Sequence, residues 1–403
     1  METGKTDTTT TAPKPSDVAK VPKIKVLMVD DQAMVCEAVR RMLVDEADIE
    51  FHCLTEPTKA IETALEIKPT VILQDLVMPD VDGLTLVKFF RAKPELKEVP
   101  MIVLSSKEEP ETKKKAFELG ANDYMVKLPD KLEVLARIRY HSKGYINLLQ
   151  RNAAQAALQA ELDEAARYVK ALFPDRIDDS AVSTDWVFIS STDLAGDSFG
   201  YYWLDDDTFV IYLLDVCGHG VGAALHSVSA LNVLRSQSLP GVDFKDPGAV
   251  LSALNEAFDM DKHNQMYFTM WYGVYDKNTR SLKYASGGHP PSVLVPAIEK
   301  PNGELTTLAT PGMVVGGMQG VPFPSDEITV GAGDLLYVFS DGVYEVDYKD
   351  GSGMMTEEEF SRQLHAAPDA GKSKMDSMVD WVREAQGRDA FEDDFSLMEV
   401  KFK

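Results

Sequence analysis

The chain has 403 residues, with 65 acidic and 41 basic side chains and a formal net charge of −24. That length suggests two or three domains, and 44% hydrophobic with 26% charged residues excludes wholesale disorder. The acid excess argues against nucleic acid and anionic membrane surfaces, both of which would repel it at long range. It is also uneven, because residues 142–403 hold 40 acids against 20 bases while residues 1–22 balance.

No run of eighteen apolar residues occurs, and the start METGKTDTTTTAPKPSD lacks the apolar region of a signal peptide, so a cytoplasmic protein with no membrane span is expected. Cys36, Cys53 and Cys217 follow no metal or redox spacing and read as buried free thiols in a reducing compartment.

In chain order, residues 1–22 are rich in Thr, Pro and Lys without periodicity and read as a flexible tail. From Lys23 short apolar runs (IKVLMV, IEFHCL, TVILQ, MIVLS, NDYMVK) alternate with amphipathic stretches such as AVRRMLVDEA. Apolar strands alternating with helices predict a parallel sheet covered on both faces. Five of each over residues 23–141 predict a flavodoxin-like α/β domain. Residues 142–178 are made largely of good helix formers and read as a helical linker. Leu158, Leu162, Ala165, Val169 and Leu172 trace an a/d seam there, which suits either a helix packed on its own domain or a coiled-coil-like stalk of a homodimer. Over residues 179–403 alternating apolar segments (TFVIYLLDV, YFTMWYGVYD, FSLMEVKF) are broken by Gly and Asp turns and joined by a few helical stretches. That texture predicts an α+β domain, a sandwich of two sheets flanked by helices.

Two sets of aspartates carry chemistry. Asp30 and Asp31 follow the first strand and Asp75 the third, while Ser105 and Lys127 end the fourth and fifth. In a doubly wound sheet these strand ends form the ligand crevice. Three carboxylates meeting there call for a cation, Mg²⁺ by preference. The segments VDDQAM, LQDLVMPDVDGLTLV, VLSS and GANDYMVKLPD resemble a response-regulator receiver domain. The resemblance implies that Asp75 accepts a phosphoryl group from a cognate histidine kinase or phosphotransfer protein, and that Asp30, Asp31 and Asp75 hold Mg²⁺. It implies that Ser105 senses the phosphoryl group, Lys127 pairs with it and Tyr124 is the aromatic that changes rotamer. Lys127-Leu128-Pro129, in place of the common Lys-Pro, together with IKPTVILQDLVMP and ARIRYHS, resembles the receivers of WspR-type diguanylate cyclase regulators, but no GGDEF signature occurs in the sequence.

In the second half aspartates recur beside glycines or at strand ends, in LAGD, LLDVCGHG, FSDGVYE and FEDDFS. Carboxylate and carbonyl oxygens without a Cys/His cluster favour Mg²⁺ or Mn²⁺, and four acidic turns suit a two-metal site. The order AGD, DVCGHGVGAA, YGVYD with SGGHPP, SDGVYE and DD resembles the PP2C-type serine/threonine phosphatases of the SpoIIE/RsbU branch. That resemblance implies two Mn²⁺ or Mg²⁺ ions. Asp215 would bridge them, the Val216 carbonyl would bind the first, and Asp341 and Asp393 the second, with Asp197 in support directly or through water. Asp394 is the lesser candidate of its pair. His219 reads as a structural residue at a helix start and His289 as a packed loop residue. The implied substrate is a phosphorylated STAS-domain anti-sigma-factor antagonist in partner switching, with hydrolysis controlled by Asp75. A non-catalytic receiver–pseudophosphatase adaptor that binds a sigma factor or antagonist is the alternative.

Overall fold

The computed structural model describes residues 23–79, 81–106, 110–127, 129–297 and 305–403. The expected tail and Leu128 of the Lys-Leu-Pro variant lie outside these residues. The chain divides into two compact units, one ending at Ala157 and the other starting at Leu158.

The first unit runs β1 (Ile24–Val29), α1 (Ala33–Leu43), β2 (Ile49–Leu54), α2 (Ala60–Ile67), β3 (Val71–Asp75), α3 (Gly83–Ala92), β4 (Met101–Ser105), α4 (Pro110–Glu118), β5 (Asp123–Val126) and α5 (Lys131–Lys170). The five strands are parallel in the order β2-β1-β3-β4-β5, which is the flavodoxin-like arrangement. β3 and β4 are buried at every position, because helices cover both faces of a parallel sheet. Val29 pairs with Gln74, so the next residues, Asp30 and Asp75, leave neighbouring strands at the point where the strand order reverses. Asp82 caps α3 by accepting from the Thr85 backbone N–H at 3.1 Å.

Cys36 on α1 and Cys53 on β2 pair as a disulfide, with Cα atoms 6.0 Å apart. This corrects the reading of three free thiols and leaves Cys217 free. Sequence spacing could not reveal the pair, since the two cysteines meet only when α1 folds back over the sheet.

The linker expected as a separate element is continuous with the receiver's last helix. α5 runs unbroken for 40 residues, because between its ends only Gly144 interrupts a run of helix formers and no proline occurs. Its buried residues are Val134, Leu135, Ile138 and Ser142. Of the seam, Leu158 is exposed, Leu162 and Val169 are half-buried, and Leu172 lies beyond the helix end.

The second unit contains β6 (Val182–Ile189), β7 (Ser198–Trp203), β8 (Thr208–Val216), α6 (Val221–Arg235), α7 (Pro247–Ala257), β9 (Phe268–Asp276), β10 (Ser281–Gly287), β11 (Ser292–Val295), β12 (Thr306–Leu308), β13 (Asp326–Thr329), β14 (Leu335–Phe339), α8 (Glu357–Leu364), α9 (Lys374–Gln386) and β15 (Phe395–Phe402). Two five-stranded antiparallel sheets result, ordered β13-β10-β9-β8-β7 and β12-β11-β14-β15-β6. Phe199, Phe209, Ile211 and Leu213 of one sheet pack against Leu336, Met398 and Val400 of the other. The opposite face of the first sheet buries Val210, Tyr212 and Leu214 against Ala230, Leu234, Val250 and Leu254 of α6 and α7. The second sheet does the same with Phe360, Met378 and Val382 of α8 and α9. The layers are therefore helix, sheet, sheet, helix, as the alternating apolar segments predict.

Candidate metal centres

At the carboxyl end of the parallel sheet, Asp30 and Asp75 are fully buried and Asp31 is half-buried. One carboxylate oxygen from each lies within 4.8 Å of the others. The Lys127 Nζ is 2.6 Å from Asp75 Oδ2 and 3.0 Å from Asp30 Oδ2. Burial works against the charge on Lys127, but its bonds to Asp75 and Asp30 outweigh this and hold its pKa above the usual value. Asp31 Oδ1 is buried without a hydrogen-bond partner among the described residues. One ammonium facing three carboxylates leaves negative charge uncompensated, so the donor set fits a hard divalent cation. Ser105, at the end of β4, and Tyr124, within β5, are both buried, and the Lys113 ammonium lies 5.4 Å from the Tyr124 ring centroid.

A residue the sequence reading missed fixes the exit from β3. The buried Gln74 side chain donates to the Gly83 carbonyl at 2.6 Å. A Cβ on Gly83 would fall 2.5 Å from the Leu76 Cα, so the start of α3 lies directly on the Asp75 segment. The alternation of residues along a buried strand could have flagged Gln74 as a polar residue in the core, but not its partner.

The second set of aspartates gathers where the two antiparallel sheets meet at one end. Asp215 comes from the end of β8, Asp341 follows β14, Asp393 and Asp394 precede β15, and Asp197 precedes β7. Asp197 is buried, Asp215 and Asp341 are half-buried, and Asp393 is exposed. Burial, then the charges of Asp341 and Asp393, push Asp215 up to about 7. Burial, then Glu345 and Asp393, raise Asp341 to about 6. Asp197 stands well above the carboxylate range through burial and the nearby Asp215 and Asp394 charges, although Ser396 donates to its Oδ2 at 2.5 Å. Among the described residues the receiver trio is the only group of three that brings its ligand atoms within 4.8 Å of one another. The second set is more widely spread, and two cations about 4 Å apart need such a spread. Mutually repelling carboxylates without a basic group in the set fit divalent cations.

Two glycines allow this gathering. A Cβ on Gly196 would sit 2.8 Å from the Val216 carbonyl oxygen, and one on Gly342 would sit 2.3 Å from the Asp394 carbonyl oxygen. His219 is exposed in the turn before α6. His289 is buried, its Nδ1 lies 2.9 Å from the Pro290 carbonyl, and burial lowers its pKa to about 4. It is a neutral packed loop residue, as expected. Ser191, Ser340 and Ser396 were missed. Ser396 stands two places after Asp394 in the DDFS motif, where strand alternation puts both on one side.

Comparison with known proteins agrees with this architecture. The family model for the response regulator receiver domain matches residues 26–139, and that for stage II sporulation protein E (SpoIIE) matches residues 205–403. Phosphoserine phosphatase RsbP of Bacillus subtilis is 26% identical over 189 residues, covering 46% of this chain and 45% of the relative. Phosphoserine phosphatase RsbU of the same organism is 25% identical over 198 residues, covering 49% of this chain and 57% of the relative. The chain thus spans about half the length of these curated relatives. The SiaA-PP2C domain of Pseudomonas aeruginosa shares the fold, with a TM-score of 0.53 and 19% identity over 62% of this chain and 99% of that one. Parallel-sheet crevice, two-sheet sandwich and both family matches lead to one conclusion: the chain joins a response-regulator receiver domain to a PP2C-type phosphatase domain of the SpoIIE family.

Proposed function

We propose that this chain is a two-component response regulator whose output is a metal-dependent phosphoprotein serine/threonine phosphatase, with Asp75 as the phosphoacceptor. The observation that carries the reading is the convergence of Asp197, Asp215, Asp341 and Asp393 from two sheets at one end of the sandwich. Asp215, Asp341, Asp393 and the Val216 carbonyl would hold two Mn²⁺ or Mg²⁺ ions, with Asp197 in support directly or through water. When bound, such ions supply Lewis acidity toward a phosphoryl oxygen and make water nucleophilic at neutral pH. The chain's own contribution is to fix the oxygen ligands on rigid strand ends and to exclude water behind them, where Asp197 is buried.

In the receiver, Asp75 would take the phosphoryl group from the phosphohistidine of a histidine kinase or phosphotransfer protein, its O–P bond forming as the donor's P–N bond breaks and the imidazole leaves, with Asp30, Asp31 and Asp75 placed to hold Mg²⁺. Lys127, already 2.6 Å from Asp75, would neutralise the adduct. Ser105 and Tyr124 would then rearrange as the two-state element that reports its presence. The target we propose is a phosphorylated STAS-domain anti-sigma-factor antagonist, supported by the likeness to RsbU and RsbP. A homodimer held along the exposed part of α5 is the arrangement we propose for the full chain, with residues 23–141 as the receiver, 142–178 as the linker and 179–403 as the phosphatase domain.

The test is Mn²⁺-dependent hydrolysis of a phosphoserine protein by the wild type and by Asp215→Asn. Activity only in the wild type is expected, and equal activity in both would remove the reading. Equal rates for untreated and beryllofluoride-treated wild type would remove the control by Asp75 alone.

A further inference from the structure

We infer that Asp394 is the positioning residue of the phosphatase metal centre, a latch that holds the Ser190–Asp197 turn in place without being a metal ligand. The inference rests on the reading above and deepens it.

The two adjacent aspartates of the FEDDFS motif stand in opposite environments. Asp393 is exposed, and its Oδ1 accepts from the Asp394 backbone N–H at 2.7 Å. Asp394 is only 7% exposed. Its Oδ1 accepts from the Ser191 N–H at 2.8 Å and the Ser191 hydroxyl at 3.0 Å, while the Ser190 hydroxyl, 3.4 Å away, gives its proton to the Thr192 carbonyl at 2.7 Å. Its Oδ2 accepts from the Gly196 N–H at 2.8 Å and the Asp197 N–H at 3.4 Å. A carboxylate offers about four lone-pair sites, so these four donors leave none for a cation. Asp393 keeps its second oxygen for that purpose.

All four donors belong to residues 191–197, within the segment that leaves β6 and carries Asp197 into β7. That segment also brings Gly196 against the Val216 carbonyl. On the other side, the backbone of Asp394 anchors the Asp341 turn, since its carbonyl accepts from the Ser340 hydroxyl at 3.1 Å and underlies Gly342. One residue therefore ties the turn that bears Asp197 to the turn that bears Asp341, across about two hundred positions of sequence. Groups that orient metal ligands from outside the coordination sphere typically change metal affinity by about 10–100-fold when removed.

The experiment is Mn²⁺ binding to the full chain by calorimetry, paired with the Mn²⁺ concentration that gives half-maximal hydrolysis. Asp394→Asn keeps the shape but turns an NH₂ group toward the N–H donors of Ser191 or Gly196. The expected result is an Mn²⁺ affinity about 10–100-fold weaker at unchanged stoichiometry, with most of kcat recovered at saturating Mn²⁺. Asp393→Asn, a ligand change, should instead lower the stoichiometry. Ser191→Ala removes one contact, the hydroxyl at 3.0 Å, keeps the Ser191 N–H bond, touches no carboxylate, and should weaken binding in the same direction by less. Wild-type affinity in Asp394→Asn, or a lost Mn²⁺ equivalent in it, would overturn the latch. Should Asp394→Asn fail to fold, unchanged affinity in Ser191→Ala would overturn it. Failure of the wild type itself to bind Mn²⁺ would remove the phosphatase reading and the latch with it, whereas wild-type binding with an indifferent Asp394→Asn removes the latch alone.

Discussion

Gly342→Ala adds one methyl group at the tighter of the two glycine contacts described for the proposed second metal centre. The new Cβ would lie 2.3 Å from the Asp394 carbonyl oxygen and 3.0 Å from its carbonyl carbon. Relief to ordinary contact requires a displacement of about 1 Å, and neither neighbour is a flexible side-chain tip. Overpacking of this kind costs about 1–3 kcal/mol. For a domain of this size that corresponds to a fall in Tm of about 2–12 °C. Gly342 separates Asp341 from the Asp393–Asp394 backbone, so the same displacement spreads two proposed ligands. A misplacement of about 1 Å can cost about a hundredfold in rate. Thermal unfolding of the metal-free chain and Mn²⁺-dependent hydrolysis measure the two effects together. Gly144→Ala serves as the control, because its Cβ meets nothing within 4 Å and alanine favours the helix by about 0.5–1 kcal/mol. Wild-type Tm and wild-type activity in Gly342→Ala would refute the close approach of these two turns.

Further outcomes follow from the charges. Asp215 and Asp341, raised to about 7 and about 6 from an ordinary 3.8, hold protons in the folded state that the unfolded chain releases. Their contribution to stability is present below pH 3.8 and is lost as pH rises through 6 and 7. The phosphatase unfolding transition of the metal-free protein should therefore fall in temperature between pH 5 and pH 8, while the gain on adding Mn²⁺ should grow over that range; a pH-independent Mn²⁺ gain would contradict it. Lys127→Met leaves the buried Asp30 and Asp75 without their shared cation. The receiver should lose about 3–5 kcal/mol in urea titrations without Mg²⁺ and regain part of it with Mg²⁺, and no Mg²⁺ response would count against the cation pocket. Burial opposes ionisation of Asp123, yet bonds from Arg137 and His141 keep its pKa below 3.8. Its contribution is present above pH 3.8 and is lost as pH falls toward the lower folded value, so Asp123→Asn should flatten the acid limb of receiver stability in the same titrations.

The receiver pocket was largely legible from sequence because a parallel sheet imposes one rule: consecutive strand ends point the same way. Asp30, Asp75, Ser105 and Lys127 each sit at or just beyond a strand end, and periodicity alone finds those ends. The aspartates proposed for the second centre stand beside glycines in the sequence, and those glycines mark close backbone approach. What escaped was the set of partners. Ser191 meets Asp394 and Ser396 meets Asp197, contacts set by how two sheets align and by the direction of a turn. Neither is encoded in local spacing. The continuity of α5 was missed for the opposite reason, since local helix propensity runs straight through the position where a change of role was expected.

The pairing of β15 with β6, in which Phe395 faces Ile189, has a consequence for biosynthesis. β15 and its partner β6, the first strand of the unit, lie about two hundred residues apart in the chain. Receiver contacts connect near neighbours along the chain and can form while synthesis continues, whereas the proposed metal centre cannot close before residues 393–402 emerge. A nascent chain that has not yet reached β15, or one clipped before it, would thus carry a finished parallel-sheet unit beside an unclosed sandwich.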